Sequence, residues 1–166
     1  MAPRATTTDK DRGFKRILAT LKEASRSEVA IGWFPDAKHE VEAEGGGTKS
    51  IQTAELASIH EFGTSTIPAR PMIGPVYDNN LLRYRARLKE LWGKIVTLEI
   101  STEAALVIFG AMVEADLKRW ITSGPHKPLS PETIARKGSS RPLIDTGAMR
   151  DQVMFRHQVG GPVKTG

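Results

Sequence analysis

The chain contains no cysteine. Disulfide staples and thiolate metal ligands are therefore excluded, and folding in a reducing cytosol fits. Aromatic residues are sparse at 6%, and there are only four histidines. The longest apolar stretch, Ala104 to Val113, is interrupted by Gly110. It falls well short of the roughly 20 residues that a membrane-spanning helix needs, so a soluble protein with no membrane partner is expected. The N-terminal run Met1 to Thr8 is polar and lacks an apolar segment, so no secretory signal is read there.

What is present bounds the rest. A chain of 166 residues suits one domain with a real core. Hydrophobic residues make up 39%, and the 15 glycines bring the apolar share near the globular norm of about 45–50%. The formal net charge is +5. Its cations gather in two clusters on expected helices: Lys10, Arg12, Lys15 and Arg16, then Arg83, Arg85, Arg87 and Lys89. Such runs read either as solvated helix faces or as surfaces that attract DNA phosphates or an acidic partner.

Periodicity gives the elements. Over residues 9–25, Phe14, Ile17, Leu18 and Leu21 define one face of an amphipathic helix, with Asp9 or Asp11 as cap. Val29 to Phe34 reads as a strand stopped by Pro35. Residues 36–50 hold acids and a glycine triplet and read as a long loop or hairpin. A second helix is expected from Ser50 or Thr53 to Phe62, with Leu56, Ile59 and Phe62 inward and Gly63 at its C-terminal turn. Pro68 and Pro71 then stiffen an extended strap.

A long helix is expected from Gly74-Pro75 to Trp92, striped by Tyr77, Leu81, Tyr84, Leu88 and Leu91 or Trp92. Ile95 to Ile100 fits helix or strand. Ser101-Thr102-Glu103 opens another helix, with Leu106, Phe109, Val113, Leu117 and Trp120 as core, stopped at Ser123-Gly124-Pro125. Ser130-Pro131-Glu132 looks like a further helix start. Residues 137–141 read as a polar loop. Asp145 or Thr146 could cap a turn through Met149, and Val153 to Val159 reads as a last strand. The expected organisation is an N-terminal arm at 1–8, one domain at 9–159 and a loose tail at 160–166.

Three catalytic patterns fail on inspection. His60-Glu61 suggests a zinc-protease helix, but Thr64 stands where the second histidine must be. Gly45-Gly46-Gly47-Thr48-Lys49-Ser50 suggests a phosphate loop, but Thr48 breaks the required glycine–lysine adjacency, and Glu40, Glu42 and Glu44 would repel phosphate. No nucleophile elbow occurs. The expectation is a protein that is not an enzyme, with no metal and no cofactor.

Two runs carry a resemblance. The first is Ala57, Ile59, His60, Glu61, Phe62 and Gly63, followed by Ile67, Pro68, Ala69, Arg70 and Pro71. The second is Pro142, Leu143, Ile144, Asp145, Thr146 and Gly147, with Arg150 beyond it. In this order they resemble the tail-completion or neck proteins of tailed bacteriophages, grouped with gene product 10 of phage HK97 and the virion-morphogenesis protein of phage Mu. Pro128 to Ile134 adds to the likeness. Met72-Ile73-Gly74-Pro75 departs from the bulky apolar pair usual after Arg-Pro, which leaves the start of the long helix open.

The resemblance implies an α+β fold, a small antiparallel sheet packed by two or three longer helices, with an extended loop and loose termini. It implies a structural virion protein at the head–tail junction, assembled in the host cytoplasm as a homo-oligomeric ring, hexamer or dodecamer. Its partners would be other neck, connector and tail proteins, with genomic DNA passing through the lumen. The two basic clusters then become candidate DNA-facing residues. A tail terminator capping the tail tube, and a basic DNA-binding module, are the alternatives. Arg70, pinned between prolines, suits either a carboxylate on a neighbouring subunit or an internal pair with Glu61 or Asp145. The interface or motif residues expected are His60, Glu61, Phe62, Gly63, Pro68, Arg70, Pro71, Asp145, Thr146, Gly147 and Arg150.

Overall fold

The computed structural model describes residues 13–42, 48–137, 140–143 and 147–161. The expected N-terminal arm, the last residues of the tail, Lys10, Arg12, Asp145 and Thr146 lie outside the described residues. The fold is α+β. Helix α1 (Phe14–Ala24) is followed by strands β1 (Glu28–Gly32), β2 (Lys38–Glu42) and β3 (Thr48–Gln52), then by helices α2 (Thr53–Phe62), α3 (Ile73–Val96), α4 (Thr102–Ser123), α5 (Pro131–Lys137) and α6 (Ala148–Asp151), and strand β4 (Met154–Gln158) comes last.

The strands form two antiparallel pairs. β1 pairs with β4, Ala30 opposite Arg156, and β2 pairs with β3, Glu40 opposite Ser50. Residues 36–50, expected as a loop or hairpin, thus carry a hairpin, and β3 runs directly into α2.

Helix α4 is the spine. It packs against α3 on one side and against β1 and β4 on the other. Gly110 makes the sheet contact possible: a Cβ there would lie 2.5 Å from the Phe155 ring of β4. One core cluster joins Ala57, Met72, Val76, Leu117, Ile121, Leu143, Met149 and Val153, with Trp33, Leu56 and Trp120 against it. A second joins Ala24, Leu91, Ile95 and Ala105 beneath α1.

Several sequence expectations shift here. α3 begins at Ile73, continues through Gly93 and ends at Val96, so Ile95 is buried helix, not strand. Its buried stripe is Val76, Tyr84, Leu91 and Ile95: Tyr84 and Leu91 were expected, Val76 replaces Tyr77 and Ile95 extends the stripe, while Tyr77, Leu88 and Trp92 are exposed. The register is set by Val76 dropping into the core beside Met72, which fixes the rotation of every later turn. Phe14 and Leu18 of α1 are exposed, and Ala24 carries that helix's burial. On α4 the deepest residue is Ile121, which the expected face omitted.

Candidate assembly site

The first marked run is a mechanical joint. α2 ends at Phe62, and Gly63 takes φ 76. A Cβ at Gly63 would lie 2.7 Å from the Ala69 nitrogen and 2.8 Å from the Ile67 carbonyl oxygen, both backbone atoms. Only glycine fits both the dihedral and the space. The six residues that follow fold back on the helix end. Thr64 N–H donates to the Ile67 carbonyl, Ile67 N–H donates to Thr64 Oγ1, and Arg70 N–H donates to the His60 carbonyl at 2.7 Å.

Glu61 reaches forward from α2. Its carboxylate accepts from the N–H groups of Met72 (2.6 Å), Ile73 (3.1 Å) and Gly74 (3.2 Å). These are the unpaired donors at the start of α3, where the helix dipole also favours negative charge. One side chain thereby fixes where α3 starts and couples two helices across the strap.

Arg70 has main-chain partners that neither expectation named, and the expected partner Asp145 lies outside the described residues. It is 6% exposed, and its guanidinium donates from Nε to the Lys127 carbonyl at 2.9 Å and from Nη2 to the Pro128 carbonyl at 3.2 Å. A planar fork donates to two successive main-chain oxygens as readily as to one carboxylate. Glu61 cannot be its partner, because that carboxylate is held by α3. Arg70 therefore ties the strap to the segment after α4 and is not presented to a neighbouring subunit. Pro71 completes the tie: its carbonyl accepts from Trp120 Nε1 at 3.1 Å.

Phe62 also departs from the sequence reading, which placed it on the inner face of α2. It is 80% exposed. Thr53 and Ala57, one turn apart, occupy the core side of α2. Phe62 stands at the mouth of an apolar groove of ≈ 270 Å³ between β1 and α2. Residues 30–34 line it from the β1 side, and Ala54, Ala57, Ser58 and Glu61 of α2 with Ile73 of α3 from the other. Adjacent strand residues point to opposite faces, so a wall made of consecutive ones is a strand edge. At the groove's rim Arg156 lies over the Phe34 ring at 4.1 Å and pairs with Asp36 at 2.5 Å. That hydrogen bond holds the exposed Asp36 carboxyl below its ordinary range.

The second marked run is only partly described. Gly147 takes φ 83 at the start of α6, and Arg150 pairs with Asp151 at 2.7 Å. The Arg150–Asp151 hydrogen bond lowers the Asp151 carboxyl and raises the Arg150 guanidinium. The run's core contribution is Leu143, Met149 and Val153, which close over Ala57 and Met72, so the two marked runs meet in one cluster.

The basic clusters divide. Arg83 pairs with Asp116, and Arg87 pairs with Glu90 at 2.6 Å. Arg85 and Lys89 are exposed, and neither they nor Arg16 carries an ion pair among the described residues. Lys15 has a partner.

Sequence reasoning missed Asp116. It is 6% exposed, accepts from Arg83, from Arg119 at 2.9 Å and from the Tyr84 hydroxyl at 2.9 Å, and pins α4 to α3. Burial, and then the Asp116 carboxylate, push the Tyr84 phenol well above its ordinary value. An acid next to Leu117 inside an apolar stripe was the available signal. Among the described residues no three His, Asp or Glu side chains gather as a metal site. No helix among them is long and apolar enough to cross a membrane. No family model, curated protein or solved structure matches this chain.

Proposed function

We propose that this chain is a non-enzymatic structural protein of a tailed bacteriophage, a neck or tail-completion protein that forms a ring at the head–tail junction. The observation that carries this reading is the division of labour in the first marked run. Its polar residues, Glu61 and Arg70, are used inside the chain, while its aromatic residue, Phe62, is left 80% exposed beside an apolar groove. A catalytic motif would turn its polar groups toward a substrate. A motif that turns them inward and an aromatic outward suits assembly, because exposed apolar surface beside a polar rim marks an interaction site. The order of the two marked runs agrees with the neck-protein pattern.

In a ring one surface of every copy faces the lumen. Arg85 and Lys89 are the cations best placed to face DNA there, because Arg83 and Arg87 are held by carboxylates of their own chain. Phage particles assembled without this protein should show filled heads and separate tails. Normal infectious virions would overturn the reading. Tails of uncontrolled length would favour a tail terminator. Fluorescence anisotropy with duplex DNA across a salt series checks the lumen-facing role, which calls for weak, salt-sensitive binding.

A further inference from the structure

We propose that the apolar groove between β1 and α2 takes the Phe62 ring of a second copy of this chain, so that two copies pair by exchanging rings. The inference rests on the reading of the chain as self-assembling, and it names the first contact.

The groove has room for one ring. A cavity of about 150 Å³ is enough for a benzene molecule. At ≈ 270 Å³ the groove admits a phenyl ring with its stem. It is too small for a strand laid along all five residues of β1. Its walls call for an uncharged guest. No lysine or arginine lines it, and its one carboxylate, Glu61, is already held by three N–H groups of α3.

The chain displays such a guest at the same place. Phe62 is the most exposed aromatic side chain among the described residues, and it stands at the mouth of the groove without filling it. Ring and groove therefore belong to one patch. A patch that carries both a knob and its hole is complementary to itself, which is what a two-fold contact requires. An aromatic anchor seated in a preformed pocket is also the usual centre of a protein interface.

Charge agrees with a second copy as the partner. A two-fold axis sets the charges near it against their own copies. Here the Glu61 carboxylate is spent on α3, and Asp36 and Arg156 at the rim cancel each other, so a second copy meets no net repulsion. The outer flank of α3 could not pair in this way, because Arg85 and Lys89 would face like charges.

Area sets the strength. Tyr77 follows Ile73 by one turn of α3, and both are about half exposed. An aromatic side chain buries roughly 150–250 Å², so Phe62, Tyr77, Ile73 and the walls that receive the ring hide on the order of 1,000 Å² over two copies. That is the lower bound for a specific interface, so the pair should dissociate on dilution. It is a unit from which a larger assembly grows, and six or twelve copies both divide into pairs.

Photocrosslinking tests the contact. The photoreactive p-azidophenylalanine, which keeps a single ring, replaces Phe62 in one variant and the equally exposed Leu82 of α3 in the control. Each is illuminated with size-tagged wild type. At least tenfold more mixed dimer is expected from position 62 than from position 82, with the attachment mapped to residues 30–34 or 54–58 of the other chain. Equal yields, or attachment outside the groove, overturn the proposal. Sedimentation of the full chain separates the pair from self-assembly in general. Residue 58 is exposed and lines the groove, so Ser58→Trp should fill it. Ser58→Trp and Phe62→Ala should each raise the dissociation constant of the pair at least tenfold and leave the circular dichroism spectrum unchanged. Wild-type pairing in Ser58→Trp overturns the groove contact alone. A wild type that stays monomeric at every concentration overturns the pair and the self-assembling reading together.

Discussion

At its start α3 receives the Glu61 carboxylate on three main-chain N–H groups, and in its middle it gives Arg83 and Tyr84 to the carboxylate of Asp116. Both are polar joints built on an acid, but their outer surfaces differ. Outside the first stand Phe62 and the groove; outside the second stand Arg85 and Lys89. The first joint sets direction, because a cap fixes where a helix starts. The second sets spacing, because a buried acid with partners on two helices holds them together. The difference teaches that the joint at the α2–α3 corner lies behind an apolar surface and the joint in the middle of α3 behind a cationic one, so each can be broken separately.

Removing the second joint should have the larger effect on stability. Asp116→Ala leaves the Tyr84 hydroxyl and two guanidinium groups without their acceptor, and about 3 kcal/mol of unfolding free energy should be lost in urea titrations. A loss under about 0.5 kcal/mol would mean that the α3–α4 seam rests on apolar packing alone. Gly63→Ala comes next, at about 2–3 kcal/mol, from a left-handed dihedral combined with a backbone clash. A melting temperature equal to wild type would show that the strap can shift away. Glu61→Ala removes one cap and should cost about 1 kcal/mol, read in the same titrations. A larger cost would place Glu61 in the core of the fold, not at a helix end.

The two joints also part in pH dependence. The Tyr84 phenol is raised above its ordinary 10.0 by burial and then by Asp116. A group whose folded value is raised contributes stability that is full below the unfolded value and is lost as pH climbs through the folded one. Unfolding free energy should therefore fall as pH rises above about 10. Tyr84→Phe should flatten that fall, whereas Glu61→Ala should not. Similar alkaline profiles for the two variants would break the distinction.

Much of the fold was legible because periodic apolar residues and turn chemistry are local signals. The end of α2 at Phe62, the glycine turn and the serine cap of α5 follow from adjacent residues, and Thr133 N–H does donate to Ser130 Oγ. The start of α3 was not local, since it depends on a carboxylate eleven positions back. The stripe of α3 was right at Tyr84 and Leu91 and one residue off at its start, where Tyr77 looks like core by type but Val76 is core by geometry. Arg70 stood out in the sequence, but its partners, the carbonyls of Lys127 and Pro128, have no side-chain signature. No residue type announces a main-chain acceptor 57 positions away. Phe62 was misplaced for a related reason. Helical spacing gives the face of a residue within α2 but not the point where the body beneath it ends.

The central claim is that the first marked run separates folding from assembly, with Arg70 serving the first and Phe62 the second. Arg70→Ala and Phe62→Asp should be compared in one experiment, thermal melting alongside sedimentation of the full chain. Arg70→Ala should lose about 2 kcal/mol of stability through two buried charge-assisted hydrogen bonds, and its folded fraction should assemble as wild type does. Phe62→Asp should melt within about 0.5 kcal/mol of wild type and fail to assemble. The reverse pattern, with Arg70→Ala stable but monomeric and Phe62→Asp unstable but assembled, would contradict the account.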